Sequence, residues 1–408
     1  MFNLIYQICT FLISIALFPL FFFSRKGKVN LPQRYGQWSV EIEDCVWIHA
    51  ASFGEVNALT PIIAKMRERS PGQKILVTTM TANGLAKASE IADYQFLAPF
   101  DNVIWIQRAL DKVKFKKLII SETEIWPAMI SYALNRNVPV FQINARISDY
   151  TVGTYKKLKF FLAPLLNKFA KIVVINQESK DRFHQIGVKE NLLQVGGYSK
   201  YDLKAAIESP AQADDLHKLF FSDGAPVITL GSIRPEEEKV WFPAIAKAYS
   251  QGLVFNVIVA PRHQEKFDFF AEKLKEYGLE SAKFSTKNGG EKIILLDLMG
   301  KLSDVYSFSN LAFIGATLVD IGGHNPLEPA CYECAICVGP FYNNVRDIVE
   351  NLRKENGIIF VNDSEQALEL IKRVCNKDQE IIRSGQAAHG FWAANQGASS
   401  LIVENIGY

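Results

Sequence analysis

Neither a G-x-x-x-x-G-K-[ST] nor a G-x-G-x-x-G sequence occurs in the chain. A P-loop and the usual dinucleotide fingerprint, both of which bring glycine-rich backbone onto phosphate, are therefore unsupported. Cysteine is scarce, six in 408 residues, which leaves no disulfide framework and fits a large chain facing the cytoplasm. Cys331, Cys334 and Cys337 stand at C-x2-C-x2-C spacing, but no fourth Cys or His lies close by. The segment EPACYECAICVGP reads as the end of a helix running into a buried strand, so no metal ligands and no cofactor are assigned. Low-complexity tracts and internal repeats are missing, and no nucleic-acid motif accompanies the basic residues, so no nucleic-acid partner is expected.

Charge is missing from the first 24 residues, which are followed by Arg25, Lys26 and Lys28. Such a stretch is long enough to span a bilayer, and it lacks the basic start and small-residue cleavage site of a signal peptide. Residues 1–24 are expected to form a single-pass transmembrane anchor, with residues 25 onward on the cytoplasmic side by the positive-inside rule. Pro19 leaves a kinked or interfacial helix as the alternative.

What is present is a folded chain, 49% apolar, with room for two domains of ordinary size. Apolar runs CVWIHAA (45–51), KILVTTM (74–80), KLIISE (117–122), VPVFQINA (138–145) and KIVVINQ (171–177) alternate with helical stretches. After the polar IESPAQADD (207–215) the rhythm resumes with PVITLGS (226–232), VFNVIVAPRH (254–263), KIILLD (292–297), LAFIGAT (311–317) and AICVGP (335–340). This is the pattern of parallel sheets with crossover helices. It predicts an α/β protein of two Rossmann-like domains facing a cleft, 25–206 and 207–388, with a helix in 389–408 packing back on the first. Lys and Arg outnumber Asp and Glu by 25 to 16 over residues 25–203 and are outnumbered 20 to 27 over residues 204–408. The lysine- and phenylalanine-bearing stretch 154–171 reads equally as a helix resting on an anionic membrane and as an ordinary amphipathic helix.

Ligands of open parallel sheets bind at the carboxyl ends of strands, where the distinctive residues collect. In the second half these are Ser232 and Arg234 in GSIRPEEE, Pro261 and Arg262 in APRH, Met299, Gly300 and Lys301 in DLMGKL, and Asn325, Pro326, Leu327 and Glu328 in GGHNPLEPA. An arginine can meet phosphate with paired donors, and Glu328 can accept from ribose hydroxyls. Asn325 and Pro326 are also good residues with which to start a helix, Glu328 then completing a capping box. Gly322 and Gly323 would admit a ligand close to the backbone. In the first half, Glu55 in HAASFGE is a candidate general base or, equally, a carboxylate favoured by a helix N-terminus. Glu122 and Glu124 follow a strand two residues apart, and Lys200 could neutralise a leaving phosphate.

HAASFGE, ETEIWP, NARIS, GSIRPEEE, PRHQEK, DLMGKL, GGHNPLEPA and a late NQGA resemble, in that order, the motif series of the 3-deoxy-D-manno-octulosonic acid (Kdo) transferases of lipopolysaccharide synthesis. The resemblance implies a GT-B glycosyltransferase, inverting and metal-independent, that moves Kdo from CMP-Kdo to a lipid A precursor at the cytoplasmic surface of the inner membrane. It also implies Glu55 as proton acceptor, Glu122 and Lys200 as transition-state stabilisers, and the residues of the second half named above as CMP contacts. Gln33, Ala316 and Lys301 depart from the pattern, as does the Glu333–Cys334 pair. The competing expectations are a nucleotide-sugar epimerase-like enzyme of the same fold and a catalytically silent CMP- or lipid-binding membrane protein.

Overall fold

The computed structural model describes all residues except 1, 24–30, 203–206, 208 and 289. Arg25, Lys26 and Lys28, and the boundary expected at residue 206, lie outside the described residues. Contacts divide the chain into two compact units, Met1–Asp202 with Gly397–Tyr408, and Leu203–Gln396.

The first unit is built on β1 (Ile42–His49), β2 (Lys74–Thr79), β3 (Tyr94–Leu97), β4 (Val113–Ser121), β5 (Val140–Ala145), β6 (Lys171–Val174) and β7 (Leu193–Val195). These pair in parallel in the order β3-β2-β1-β4-β5-β6-β7. Alternate residues face opposite sides, so Trp47, Leu118 and Ile120 join one buried cluster while Val46, Ile48 and Ile119 join the other. The last helix, Ala398–Asn405, closes that second face with Ile402 and Val403. Each such fully buried aliphatic side chain stabilises by about 1.5–3 kcal/mol. Gly397, at φ 93°, turns the chain into this helix, and Asp202 accepts its N–H at 2.7 Å.

The second unit carries β8 (Val227–Ile233), β9 (Asn256–Pro261), β10 (Ala282–Lys283), β11 (Ile293–Leu295), β12 (Leu311–Ile314), β13 (Ala335–Val338) and β14 (Ile359–Phe360). Their order, again all parallel, is β10-β11-β9-β8-β12-β13-β14. In each sheet the winding reverses once, between β1 and β4 and between β8 and β12. Such reversal points are where parallel sheets leave a crevice beyond the strand ends.

The expected transmembrane anchor is corrected. Among the described residues no helix is long and apolar enough to cross a membrane, so the single-pass anchor is not supported. The apolar run does form a helix, Phe2–Phe23, with Pro19 inside it, but Tyr6, Gln7 and Ser14 on it are bonded to protein. Tyr6 Oη donates to Asp101 at 2.6 Å, Asn102 Nδ2 to the Gln7 carbonyl at 2.8 Å, and Trp105 Nε1 to Ser14 Oγ at 3.0 Å. The lysine-rich stretch forms two helices, Asp149–Lys157 and Lys159–Leu166, that meet at Leu158.

Candidate active site

Beyond β1 the chain passes to the helix Phe53–Arg69, whose N-cap is Ser52. Ser52 Oγ accepts the Glu55 N–H at 3.3 Å and donates to Glu55 Oε1 at 2.9 Å, while Oε2 accepts the Ala51 N–H at 2.8 Å. The carboxyl thus caps its own helix start and remains half-buried in a fixed orientation. Burial, and then the neighbouring charge of Glu122, push its pKa up to about 7, against the pull of those two hydrogen bonds. The capping reading and the proton-acceptor reading therefore describe one geometry.

Glu122 follows β4 in the left-handed region, at φ 57°, a conformation that costs a non-glycine residue about 1–2 kcal/mol. Its N–H donates to the Ile143 carbonyl at 2.8 Å, fixing that turn to β5. Oε1 accepts Tyr198 Oη at 2.5 Å, and Oε2 lies 3.2 Å from the Arg146 guanidinium. Lys200 sits on the single turn Ser199–Tyr201 with Nζ 6.0 Å from the centre of the Tyr198 ring. Asn144 locks this turn: its Nδ2 donates to Ser199 Oγ at 2.8 Å and its Oδ1 accepts the Ser199 N–H at 3.1 Å. Ser199 Oγ donates in turn to the Ala58 carbonyl at 2.7 Å, tying Lys200's turn to the helix that carries Glu55. Tyr198, Arg146 and Asn144 were missed as site residues. The sequence signal for Asn144 and Arg146 was the NARIS segment, at the end of a fully buried strand.

In the second unit the ends of β8 and β9 bring Ser232, Arg234, Pro261 and Arg262 together, with Ile233 opposite Pro261. Ser232 takes φ 55°, and Gly315 is obligatory beside it, because a Cβ there would stand 2.1 Å from the Ser232 carbonyl oxygen. The His324 N–H donates to the Gly315 carbonyl at 3.2 Å, drawing the GGHNPLEPA turn to the same edge. Burial, with Arg262, Arg234 and His263 adding positive charge, pushes the His324 pKa down to about 4. Burial and then Arg262 likewise lower the proton affinity of Arg234. Glu328 has its pKa raised by burial, opposed by Arg262. Two guanidiniums and a neutral imidazole converging on one edge form a cradle for an anion, with a carboxyl beside it.

Glu237 braces this cradle and was also missed. Fully buried, it accepts the N–H groups of Arg234 at 2.8 Å, Ala316 and Thr317 at 3.0 Å and Leu318 at 2.9 Å. One carboxylate therefore ties the turn after β8 to the turn after β12. Within PEEE nothing marks this glutamate: Glu236, next to it, is exposed and pairs with Lys239 at 2.5 Å.

Met299, Gly300 and Lys301 lie on the loop after β11, on the far side of β9 from β8. Met299 is exposed, Gly300 takes φ 80°, and Lys301 Nζ pairs with Asp304 at 2.9 Å. The helix expected to start at Asn325 and Pro326 is a single turn, Leu327–Ala330, with Pro326 rather than Asn325 at its N-cap, and Asn325 Oδ1 accepts the Leu327 N–H at 3.1 Å. The space over Gly322 is filled by the Asn344 amide rather than left open for a ligand. Cys331, Cys334 and Cys337 are buried free thiols, and burial raises the pKa of each.

Residues 29–203 match the family model of 3-deoxy-D-manno-octulosonic-acid transferase (kdotransferase). Over 333 residues the chain is 31% identical to a 3-deoxy-D-manno-octulosonic acid transferase of Rickettsia felis, covering 79% of this chain and 70% of that one. The chain belongs to the Kdo transferase family. It is also 33% identical, over 88% of its length, to a bifunctional glycosyltransferase/methyltransferase of Fusobacterium nucleatum, of which it spans 58%. UDP-GlcNAc 2-epimerase from Neisseria meningitidis, at 14% identity, overlays 89% of this Kdo transferase and 99% of itself with a TM-score of 0.55. That likeness shows the shared fold, a GT-B-like pairing of two parallel-sheet units.

Proposed function

We propose that this Kdo transferase moves Kdo from CMP-Kdo to the glucosamine disaccharide of a lipid A precursor, inverting the anomeric centre. Glu55 takes the proton of the attacking acceptor hydroxyl. As the new glycosidic bond forms, the bond from the anomeric carbon to the phosphate oxygen breaks and CMP departs as a phosphate monoester. Arg234 and Arg262 receive the phosphate, Ser232 and Pro261 line the same edge, and the 299–301 loop borders the base. Asn325 to Glu328 hold the ribose side, while Glu122 and Lys200 supply fixed charge around the reacting centre. The excess of basic residues in the first half suits an acceptor that carries phosphates at a membrane surface.

The observation that supports this reading most is Glu55 itself. Its carboxyl is oriented by two donors, and its pKa is raised to about 7, where a general base is most effective near neutrality. Incubation of the protein with CMP-Kdo and a tetraacylated disaccharide, with products weighed by mass spectrometry, tests it. Transfer is expected, and the mass gain counts the sugars added. Absence of transfer, or full activity of Glu55→Ala, rejects the proposal.

A further inference from the structure

Glu122 has no free oxygen to offer. One oxygen accepts the Tyr198 phenol at 2.5 Å, the other faces the Arg146 guanidinium at 3.2 Å, and its backbone carbonyl takes Gln142 Nε2 at 2.7 Å. A carboxylate engaged at both oxygens in this way is fixed in orientation. It is well placed to be a fixed negative charge. We propose that Tyr198 and Arg146 are positioning residues that clamp the Glu122 carboxylate beside Glu55, and that its negative charge, acting through space, tunes the protonation of the base. The inference rests on the reading of Glu55 as proton acceptor.

The partners come from three different strand ends. Glu122 follows β4, Arg146 follows β5 and Tyr198 follows β7, so the clamp exists only in the folded sheet. The charged and titratable groups around the two carboxyls are Glu124 on the same loop as Glu122, Arg146, Tyr198, and Tyr201, whose ring lies edge-on to Tyr198 at 5.7 Å, with Lys200 Nζ above Tyr198. Burial and the charge of Glu122 both raise the proton affinity of Tyr198, so the phenol stays a donor across the working range. Arg146 remains cationic throughout. Glu122 is thereby held in place from two sides.

The test is a pH–rate profile combined with carboxyl-labelled NMR titration of Glu55 in the full chain. In Glu122→Gln the charge disappears while the shape stays, and the acid limb of kcat/KM is expected to move down by about one pH unit together with the NMR midpoint of Glu55. A Glu122→Gln enzyme that is slower at every pH with its acid limb in place would overturn the proposal. Tyr198→Phe provides the second variant. Loss of the clamping phenol should free the Glu122 carboxylate to move and so shift the Glu55 NMR midpoint, and an unshifted midpoint would count against the clamp. The NMR midpoint reads the coupling whether or not Glu55 is the base. If Glu55→Gln retains full transfer, the functional reading fails while the coupling is still measured on its own.

Discussion

The basic half of the sequence builds an acidic site, and the acidic half builds a basic one. Residues 25–203 carry 25 Lys and Arg against 16 Asp and Glu, yet the strand ends of the first unit gather Glu55, Glu122 and Glu124. Residues 204–408 carry 20 against 27, yet Arg234, Arg262, His263 and His324 converge there. Net charge governs encounter with a charged partner at long range, whereas burial and the nearest neighbours govern proton affinity at a site. Like charges crowd in both places and the consequences are opposite. Burial, with crowded carboxylates adding to it, makes one of their number a better proton acceptor, and burial, with crowded cations adding to it, keeps an imidazole neutral and leaves two guanidiniums in need of an anion.

The strongest way to break this contrast is Glu55→Gln. Transfer should fall by roughly 10²–10⁴-fold, measured as initial rate, while CMP affinity stays unchanged because the anion cradle belongs to the other unit. Next comes Glu237→Ala, which strands four buried N–H groups at 234 and 316–318. The second unit should lose about 3 kcal/mol or more, read by calorimetric unfolding, and CMP binding should weaken with it. Arg262→Ala should remove a charge-assisted contact to the phosphate at the proposed site, the exposed guanidinium being lost together with its field on Glu328 and His324. CMP affinity, measured by titration calorimetry, should fall about 10–100-fold, and the remaining binding should depend less on salt.

How much of this was legible in the sequence follows from burial. The ten strands marked by apolar runs are the inner strands of the two sheets, covered on both faces. The four that went unread, β3, β7, β10 and β14, are the four edges. Each is two to four residues long and partly exposed, so no apolar run betrays it. The site divides in the same way. Glu55, Glu122 and Arg262 follow inner strands and were picked out there. Arg146 and Glu237 follow inner strands too, but like Tyr198 they matter through which distant turn they bond, and no spacing along the chain encodes that. The anchor was misread because hydropathy counts residues and not their partners. Tyr6, Gln7 and Ser14 look tolerable in a membrane span, but in the structure they bond to protein.

The subtlest expected effect separates the units by pH. The Glu55 pKa is raised from 4.5 to about 7, so its favourable contribution to folding is complete below 4.5 and is lost as pH rises through 7. The His324 pKa is lowered from 6.5 to about 4, so its contribution is present above 6.5 and is lost as pH falls towards 4. The first unit should therefore weaken on the alkaline side and the second on the acid side. His324→Gln should flatten the acid-side loss of the second unit by roughly 1 to 2 kcal/mol, allowing for the partly exposed ring, as followed by unfolding scans between these pH limits. CMP provides the control within the wild-type protein. A phosphate seated between Arg234 and Arg262 offsets the cations that hold His324 neutral, so bound nucleotide should raise the imidazole pKa and shrink the same slope. In His324→Gln, the pH dependence of stabilisation by CMP should shrink to what the titration of the phosphate itself leaves, because one group that linked the anion to the proton is gone.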